Sequence, residues 1–131
     1  MADLAPAAPQ YTILYVDDEP ILLMFWAELI EAAGYRVITA YDGASAVRLF
    51  LSETVHAVIL DYEMPGMDGA ALAAQIKQIN KKIPIILHSG APAIRKEDLA
   101  LFNHVIAKGN TLSVLLKALA EDLPPCPGVN E

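Results

Sequence analysis

Five polar side chains in this sequence directly follow short apolar segments, and their chemical types suit the transfer of a phosphoryl group. The first segment is followed by the acidic pair Asp17 and Asp18, and the third is followed by Asp61. Ser89 follows the fourth segment and Lys108 follows the fifth. Carboxylates, a hydroxyl and an ammonium group can together supply a nucleophile, a hydrogen-bond donor and a compensating positive charge.

The apolar segments alternate with helical patterns along the chain. The predicted strands are 11–16, 35–40, 56–61, 83–88 and 104–107, and the predicted helices are 20–33, 44–52, 68–80, 92–101 and 111–122. This order predicts an α/β fold with a doubly wound, five-stranded parallel sheet and five helices. Because the carboxyl ends of parallel strands meet at one edge, we expect the five polar side chains to lie together there.

Three carboxylates at one edge of a sheet repel each other and need a cation. At a separation of about 4 Å and an effective dielectric constant near 20, each pair costs about 4 kcal/mol. A small set of oxygen ligands favours Mg²⁺, which keeps several of its own waters. The histidines at 56, 88 and 104 are too scattered for a zinc site, and we interpret His88 as a packed or partly solvated side chain.

Asp61 is the best candidate for a nucleophile, because a buried strand delivers it to a loop rich in turn residues. Its attack would form an aspartyl phosphate. Mg²⁺ and Lys108 would neutralise the phosphoryl oxygens, and Ser89 would donate a hydrogen bond to one of them. Taken singly, these residues also fit a turn acid, a loop serine and a solvated lysine; their arrival at one edge favours the site.

Composition narrows the class of protein. The chain has 131 residues, a net charge of −7, an isoelectric point of about 4.8 and a mean hydropathy of +0.39. Such acidity argues against a basic nucleic-acid surface. The longest apolar run, 21–27, is shorter than the ~18 residues of a membrane span, and the start lacks the pattern of a signal peptide. With Cys126 as the sole cysteine, no internal disulfide forms, and we expect a cytoplasmic protein.

The domain is expected to span 11–122, between flexible tails at 1–10 and 123–131. Within it, several segments resemble the receiver domain of two-component response regulators. They are ILYVDDEP at 13–20, GYRV at 34–37, AYDG at 40–43, LDYEMPGMDG at 60–69, IPIILHSG at 83–90, and Lys108. The resemblance implies a five-stranded parallel sheet with five helices, as the strand and helix pattern also predicts.

The resemblance also implies roles for single residues. Asp61 would accept a phosphoryl group from a histidine kinase or a phosphotransfer protein. Asp18 and Asp61 would bind Mg²⁺ directly with the main-chain carbonyl of Glu63, and Asp17 would act mostly through water. Ser89 and Lys108 would contact the phosphoryl group. No separate enzymatic output domain is expected, only self-phosphorylation and autodephosphorylation.

Two positions and the length of one segment depart from the family pattern. Val105 stands where the family has an aromatic switch residue, and strand parity turns His104 to the other face. Gly109 replaces the usual proline after the lysine, so we expect a trans peptide there. The segment between Ser89 and Lys108 is short for the family, which predicts a truncated or irregular fourth helix.

Glu63, two residues after Asp61, adds a fourth acid near the site. We hypothesise that it slows the approach of an anionic phosphodonor or of water, and so tunes phosphorylation and dephosphorylation; a merely solvated side chain is the alternative. Two other functions stay open. One is a receiver-like interaction module that signals without phosphate. The other is a Mg²⁺-dependent phosphatase, although such enzymes usually have an aspartate where Glu63 stands.

The first helix carries more apolar residues than one buried stripe requires. Leu23 and Met24 are predicted to face outward and to dock a phosphotransfer partner, or a second copy of the chain; the alternative is that the fold turns these residues inward. Ala27 is predicted to face outward with them, and the inward stripe is predicted to be Leu22, Phe25, Trp26 and Leu29.

Overall fold

A computed structural model describes residues 10–64, 66–90 and 93–123. Five parallel strands form one sheet in the order β2-β1-β3-β4-β5. The strands are β1 (Thr12–Val16), β2 (Arg36–Ala40), β3 (Ala57–Leu60), β4 (Ile85–Ser89) and β5 (His104–Ala107). The predicted fold class is therefore confirmed. Apart from Gln10 and Leu123, the two predicted tails lie outside the described residues, and Leu123 packs in the core.

Within the described residues, four α-helices and one 3₁₀ helix cover the two faces of the sheet. They are α1 (Pro20–Ala32), α2 (Gly43–Ser52), α3 (Gly69–Ile79), the 3₁₀ helix (Lys96–Leu101) and α4 (Leu112–Asp122). The expected irregular fourth helix is thus a 3₁₀ helix of six residues. None of the helices in the described part of the chain has the length and apolar character needed to cross a membrane.

Local chemistry sets the helix boundaries. Pro20 occupies the first turn of α1, where its missing N–H costs no hydrogen bond. Gly34 follows α1 with a φ of +109°, a conformation that few other residues adopt. Asp42 caps α2 by accepting a hydrogen bond from the Ser45 amide at 2.8 Å, and Asp68 caps α3 in the same way.

Alternating side chains of the strands form an apolar core on each face of the sheet. Leu14, Val58 and Leu60 pack with α2, α3 and the 3₁₀ segment, whereas Ile13 and Ile59 pack with α1 and α4. Strands β1, β3 and β4 are buried throughout. This burial on both faces explains the high mean hydropathy of an otherwise acidic chain.

The inward face of α1 differs from the prediction. Leu23 is only 1% exposed, and Ala27 is buried as well, so the outward placement of both residues was wrong. Phe25, predicted to point inward, is 53% exposed, whereas Met24 is exposed as predicted. The buried residues are Leu23, Trp26, Ala27 and Ile30. Their spacing of three, four and seven residues follows the helical period, and an all-apolar helix does not indicate which of two such stripes the sheet covers.

At Gly69 the main chain at the start of α3 packs closely against the loop after β3. Its amide donates a hydrogen bond to the Tyr62 carbonyl at 2.7 Å. A Cβ atom at this position would lie 2.2 Å from the main-chain oxygen of Asp61 and 2.9 Å from Cα of Tyr62. Only glycine permits this approach, so α3 fixes the main chain on both sides of Tyr62.

Candidate functional site

The polar residues singled out in the sequence lie at one edge of the sheet. Asp17 directly follows β1 and is fully buried, and Asp61 directly follows β3 and is 8% exposed. Ser89 is the last residue of β4 and is also buried. Lys108 directly follows β5, and its amide donates a hydrogen bond to the Ser89 carbonyl at 3.0 Å. Parallel pairing of the strands therefore brings together groups that are far apart in sequence.

The three aspartates form an acidic cluster. Carboxylate oxygens of Asp17, Asp18 and Asp61 all lie within 4.8 Å of one another. Two of the carboxylates are oriented by main-chain amides: Asp17 Oδ1 accepts from Glu19 at 3.0 Å, and Asp61 Oδ1 accepts from Tyr62 at 2.8 Å. An all-oxygen donor set of this size fits Mg²⁺.

Lys108 provides the positive charge nearest to this cluster among the described residues. Its Nζ lies 2.5 Å from Asp17 Oδ2 and 3.5 Å from Asp61 Oδ2. Burial lowers the pKa of Lys108, but its hydrogen bond to Asp17 and the charges of Asp61 and Asp17 outweigh burial and raise the pKa above its ordinary value. The ammonium group therefore stays charged and offsets part of the repulsion between the carboxylates.

A cleft of about 340 Å³ opens onto the cluster. Its lining includes Asp18, Asp61 and Lys108, with Glu63 as an exposed fourth acid and Leu22 from α1. A small anionic group that enters this cleft meets a carboxylate and an ammonium group together. The wall contributed by α1 also means that any protein reaching Asp61 must approach that helix.

The departures from the family pattern are visible at β5. Val105 is 48% exposed, whereas His104 lies on the α4 side, with Nε2 3.2 Å from Asp122 Oδ2. His104 is thus turned away from the Val105 face, as predicted. The described residues contain no cis peptide bond, so the predicted trans peptide between Lys108 and Gly109 is confirmed.

A buried polar pair beneath the site was only partly anticipated. Tyr15 Oη lies 2.6 Å from His88 Nδ1, and the Trp26 ring packs edge-on against the His88 ring at 4.6 Å. Burial, and then the charge of Lys108, lower the pKa of His88 to about 4, although the charge of Asp17 opposes this. Burial also raises the pKa of Tyr15. His88 is therefore neutral, and its Nδ1 and the Tyr15 hydroxyl share a buried hydrogen bond whose direction is set by the His88 tautomer.

Sequence analysis missed a second polar group beside the site. Tyr62 Oη donates a hydrogen bond of 2.6 Å to Asp98 Oδ2, and Arg95 Nε donates to the same oxygen at 3.0 Å. The Tyr62 hydrogen bond, helped by Arg95, lowers the pKa of Asp98 although burial opposes this. The Tyr62 and Asp98 partners lie 36 residues apart, so no local pattern pointed to their contact.

Comparisons with known proteins agree with the fold. The family model of the response regulator receiver domain matches residues 13–120. The chain therefore belongs to the receiver domain family of two-component response regulators. In that family, receiver domains typically bind Mg²⁺ and pair with histidine kinases.

The similar curated proteins are larger than this chain. Sensor histidine kinase RcsC of Salmonella typhimurium is 31% identical over 111 residues, which cover 82% of this chain and 12% of that protein. The autoinducer sensor kinase/phosphatase CqsS of Vibrio cholerae is 34% identical over 116 residues, 82% of this chain and 17% of that protein. The chain thus spans less than a fifth of the length of these relatives.

Solved structures show the same architecture. Response regulator protein TrrA from Thermotoga maritima, crystallised in complex with Mg²⁺-BeF, superposes with a TM-score of 0.83 at 30% identity, covering 87% of this chain and all of TrrA. Chemotaxis protein CheY4 of Vibrio cholerae gives a TM-score of 0.81 at 25% identity, covering 88% of this chain and all of CheY4.

The buried His88 makes the stability of the protein depend on pH. The unfolded histidine takes up a proton near its ordinary pKa of 6.5, whereas the folded one stays neutral down to about 4. Between these values the unfolded state binds more protons, so the free energy of unfolding falls as pH falls, by up to about 1.4 kcal/mol per pH unit. Urea unfolding at intervals from pH 7 to pH 4.5 measures this slope.

The matched variant is Tyr15→Phe/His88→Leu, which removes both members of the buried pair and leaves no unpaired polar group. We expect its free energy of unfolding to fall less steeply with decreasing pH over the same range. Equal slopes in the wild type and the double variant would contradict the assignment of this pH dependence to His88.

Proposed function

We propose that this chain is a phosphoryl-accepting receiver that takes a phosphoryl group on Asp61 from a histidine kinase or a phosphotransfer protein. The observation that supports this is the convergence of three carboxylates with a bridging lysine at the carboxyl edge of the sheet. Mg²⁺ would be held by Asp18, Asp61 and the main-chain carbonyl of Glu63, with Asp17 acting through water. The proposed signal is a change of conformation that alters partner binding.

The transfer step is a displacement at phosphorus. A carboxylate oxygen of Asp61 forms the new P–O bond while the P–N bond of a donor phosphohistidine breaks, and the released imidazole takes a proton from solvent. Lys108, held near Asp61, offsets the charge of the phosphoryl oxygens, and the Ser89 hydroxyl donates a hydrogen bond to one of them. Bound Mg²⁺ would supply further positive charge where the carboxylates and the phosphoryl group meet.

The relatives support the same reading. TrrA, at 30% identity, was crystallised in complex with Mg²⁺-BeF, and the similar curated proteins include sensor histidine kinases and the transcriptional regulatory protein GlrR of Escherichia coli. A Mg²⁺-dependent phosphatase is less well supported, because Glu63 replaces the second aspartate that such enzymes use. A receiver-like module that works without phosphate is the alternative that experiment must separate.

Acetyl phosphate provides the first test. With Mg²⁺ present, we expect intact-mass analysis to show one added phosphate on the wild type, because Asp61 is the one carboxylate of the cluster at the end of the central strand. The adduct should be lost without Mg²⁺ and in Asp61→Ala. Asp68→Ala removes an acid that caps α3 outside the cleft and should leave the adduct intact.

An unmodified wild type with native circular dichroism would contradict the proposed transfer and favour the phosphate-independent module. An adduct that persists in Asp61→Ala would place the phosphate on another residue and would also contradict the proposal.

The charge of Glu63 is proposed to slow the reaction. Its side chain is exposed at the cleft, where it repels a dianionic donor. In water, two unit charges about 4 Å apart repel by about 1 kcal/mol, so Glu63→Gln should accelerate phosphorylation by acetyl phosphate about fivefold. The phosphate on Asp61 should also be shorter-lived in Glu63→Gln, because the side chain no longer discourages water.

Glu31→Gln is the control for that experiment, because it removes the same charge from an exposed position on α1 that does not line the cleft. Identical phosphorylation and dephosphorylation rates in wild type and Glu63→Gln, measured by mass analysis over time, would show that Glu63 is only a solvated side chain.

Partner docking is proposed on the exposed face of α1. Leu23 is buried and takes no part, but Met24 is 60% exposed beside Ile21 at 83% and Phe25 at 53%. This helix starts two residues after Asp18 and lines the cleft through Leu22, so a protein donor that delivers its phosphoryl group to Asp61 would contact it. A homodimer through the same face is the alternative occupant.

We expect Met24→Glu to slow transfer from histidine-phosphorylated protein donors at least tenfold, roughly the loss of 1.4 kcal/mol of contact, without changing the rate with acetyl phosphate. Leu51→Glu, an equally drastic change at an exposed leucine of α2, is the matched control. Equal rates for the two variants with every donor of a panel would refute docking, and sedimentation of the wild type separates the dimer alternative.

A further inference from the structure

A hydrogen-bonded bridge connects the residue after Asp61 to the 3₁₀ helix. Its members are Tyr62, Asp98 and Arg95. The Tyr62 hydroxyl donates to Asp98 Oδ2 at 2.6 Å and accepts from the Arg95 amide at 3.3 Å. The Arg95 guanidinium closes the bridge by donating from Nε to the same Asp98 oxygen at 3.0 Å. The tyrosine hydroxyl is therefore held by the side chain of Asp98 in the 3₁₀ helix and by the main chain of Arg95, which directly precedes that helix.

Burial of Asp98 and packing of Tyr62 make the loss of a hydrogen bond in this bridge costly. Asp98 is only 6% exposed, and a carboxylate in that position depends on its hydrogen-bond partners. Tyr62 packs partly buried against the same apolar cluster as Ile94 and Leu101, which flank and end the 3₁₀ helix. Loss of the tyrosine hydroxyl would remove the shortest hydrogen bond to Asp98 and leave a hole at its position.

The main chain of Tyr62 is hydrogen-bonded through both its amide and its carbonyl. Its amide donates to Asp61 Oδ1 at 2.8 Å, and its carbonyl accepts from the Gly69 amide at 2.7 Å. Gly69 lies so close that no Cβ fits between it and the main chain of Asp61. The amide that orients the Asp61 carboxylate therefore belongs to a residue anchored by α3 on one side and by the 3₁₀ helix on the other.

We propose that Tyr62 is a positioning residue, which through Asp98 and Arg95 couples the orientation of the Asp61 carboxylate to the 3₁₀ helix. This rests on the proposed function insofar as the carboxylate is the phosphoryl acceptor. The coupling acts in both directions: a change at Asp61 that moves the Tyr62 amide alters the stability of the 3₁₀ helix, and loosening that helix misplaces the carboxylate.

The bridge also gives the site a route to the surface that does not pass through position 105. Val105 is half exposed and has no polar atom in its side chain. The Arg95 side chain, by contrast, is 61% exposed while its Nε is bound to the buried Asp98. Movement of Tyr62 would therefore be reported at the surface by Arg95 and by the 3₁₀ helix that follows it.

The test compares Tyr62→Phe, Tyr62→Phe/Asp98→Leu and the control Tyr41→Phe. Tyr41 is exposed and lies outside the bridge, so Tyr41→Phe removes a tyrosine hydroxyl without changing the bridge. The double variant replaces the buried carboxylate that Tyr62→Phe leaves underbonded, so it should regain the thermal midpoint that the single variant loses. With acetyl phosphate and Mg²⁺, we expect both Tyr62 variants to form the adduct at least tenfold more slowly than Tyr41→Phe, since misplacement by about 1 Å can cost about 100-fold.

Hydrogen exchange supplies a readout that needs no phosphate. In Tyr62→Phe, amide exchange should rise both at the Tyr62 amide and across 96–101, whereas Tyr41→Phe should change neither. A double variant that recovers rate together with stability would show a purely structural role and overturn the proposal, as would faster exchange in 96–101 with an unchanged Tyr62 amide. If the wild type forms no adduct, the proposed function fails, and the exchange at Tyr62 alone decides whether the bridge couples the two segments.

Discussion

The ion pair of Lys108 with Asp17 and Asp61 is the interaction on which the arrangement of this edge depends. Three carboxylates with oxygens within 4.8 Å of one another would push the ends of β1 and β3 apart without a compensating charge. Lys108 comes from the end of β5, which lies two strands away from β3 in the sheet. Its Nζ forms ion pairs with both Asp17 and Asp61. The charge of Lys108 thus stabilises the close approach of the ends of β1 and β3.

The sequence alone was enough to predict this edge of the sheet, because the residues that form it stand at the ends of strands. The strand ends are local features: an apolar segment followed by a polar residue marks each of them, and parallel pairing brings them to one edge. The fold and the placement of Asp17, Asp61, Ser89 and Lys108 followed from this alone. Strand β4 extends to Ser89, one residue beyond the predicted end, because Ser89 still pairs with Ala107 in the sheet.

Features that depend on distant partners could not be predicted in the same way. The face of α1 was misassigned because two apolar stripes at helical spacing fit its sequence equally well, and only the packing of Leu23 and Ile30 against the sheet distinguishes them. The contacts of His88 with Tyr15 and of Asp98 with Tyr62 join residues 73 and 36 positions apart. A histidine inside an apolar strand was the one available signal, and it fitted either a packed or a partly solvated side chain without indicating a partner.

The Tyr15–His88 and Tyr62–Asp98 pairs follow the same physical principle. Each places a tyrosine hydroxyl against a buried group that would be costly without it, and each tyrosine belongs to a segment that carries an aspartate of the cluster. Tyr15 lies two residues before Asp17, and Tyr62 directly follows Asp61. One tyrosine ties β1 to β4 beneath the site, and the other ties the loop after β3 to the 3₁₀ helix. Carboxylates that repel one another are therefore held in place by the lysine between them and by directional hydrogen bonds in the adjoining chain, which restrict the positions that the carboxylates can adopt.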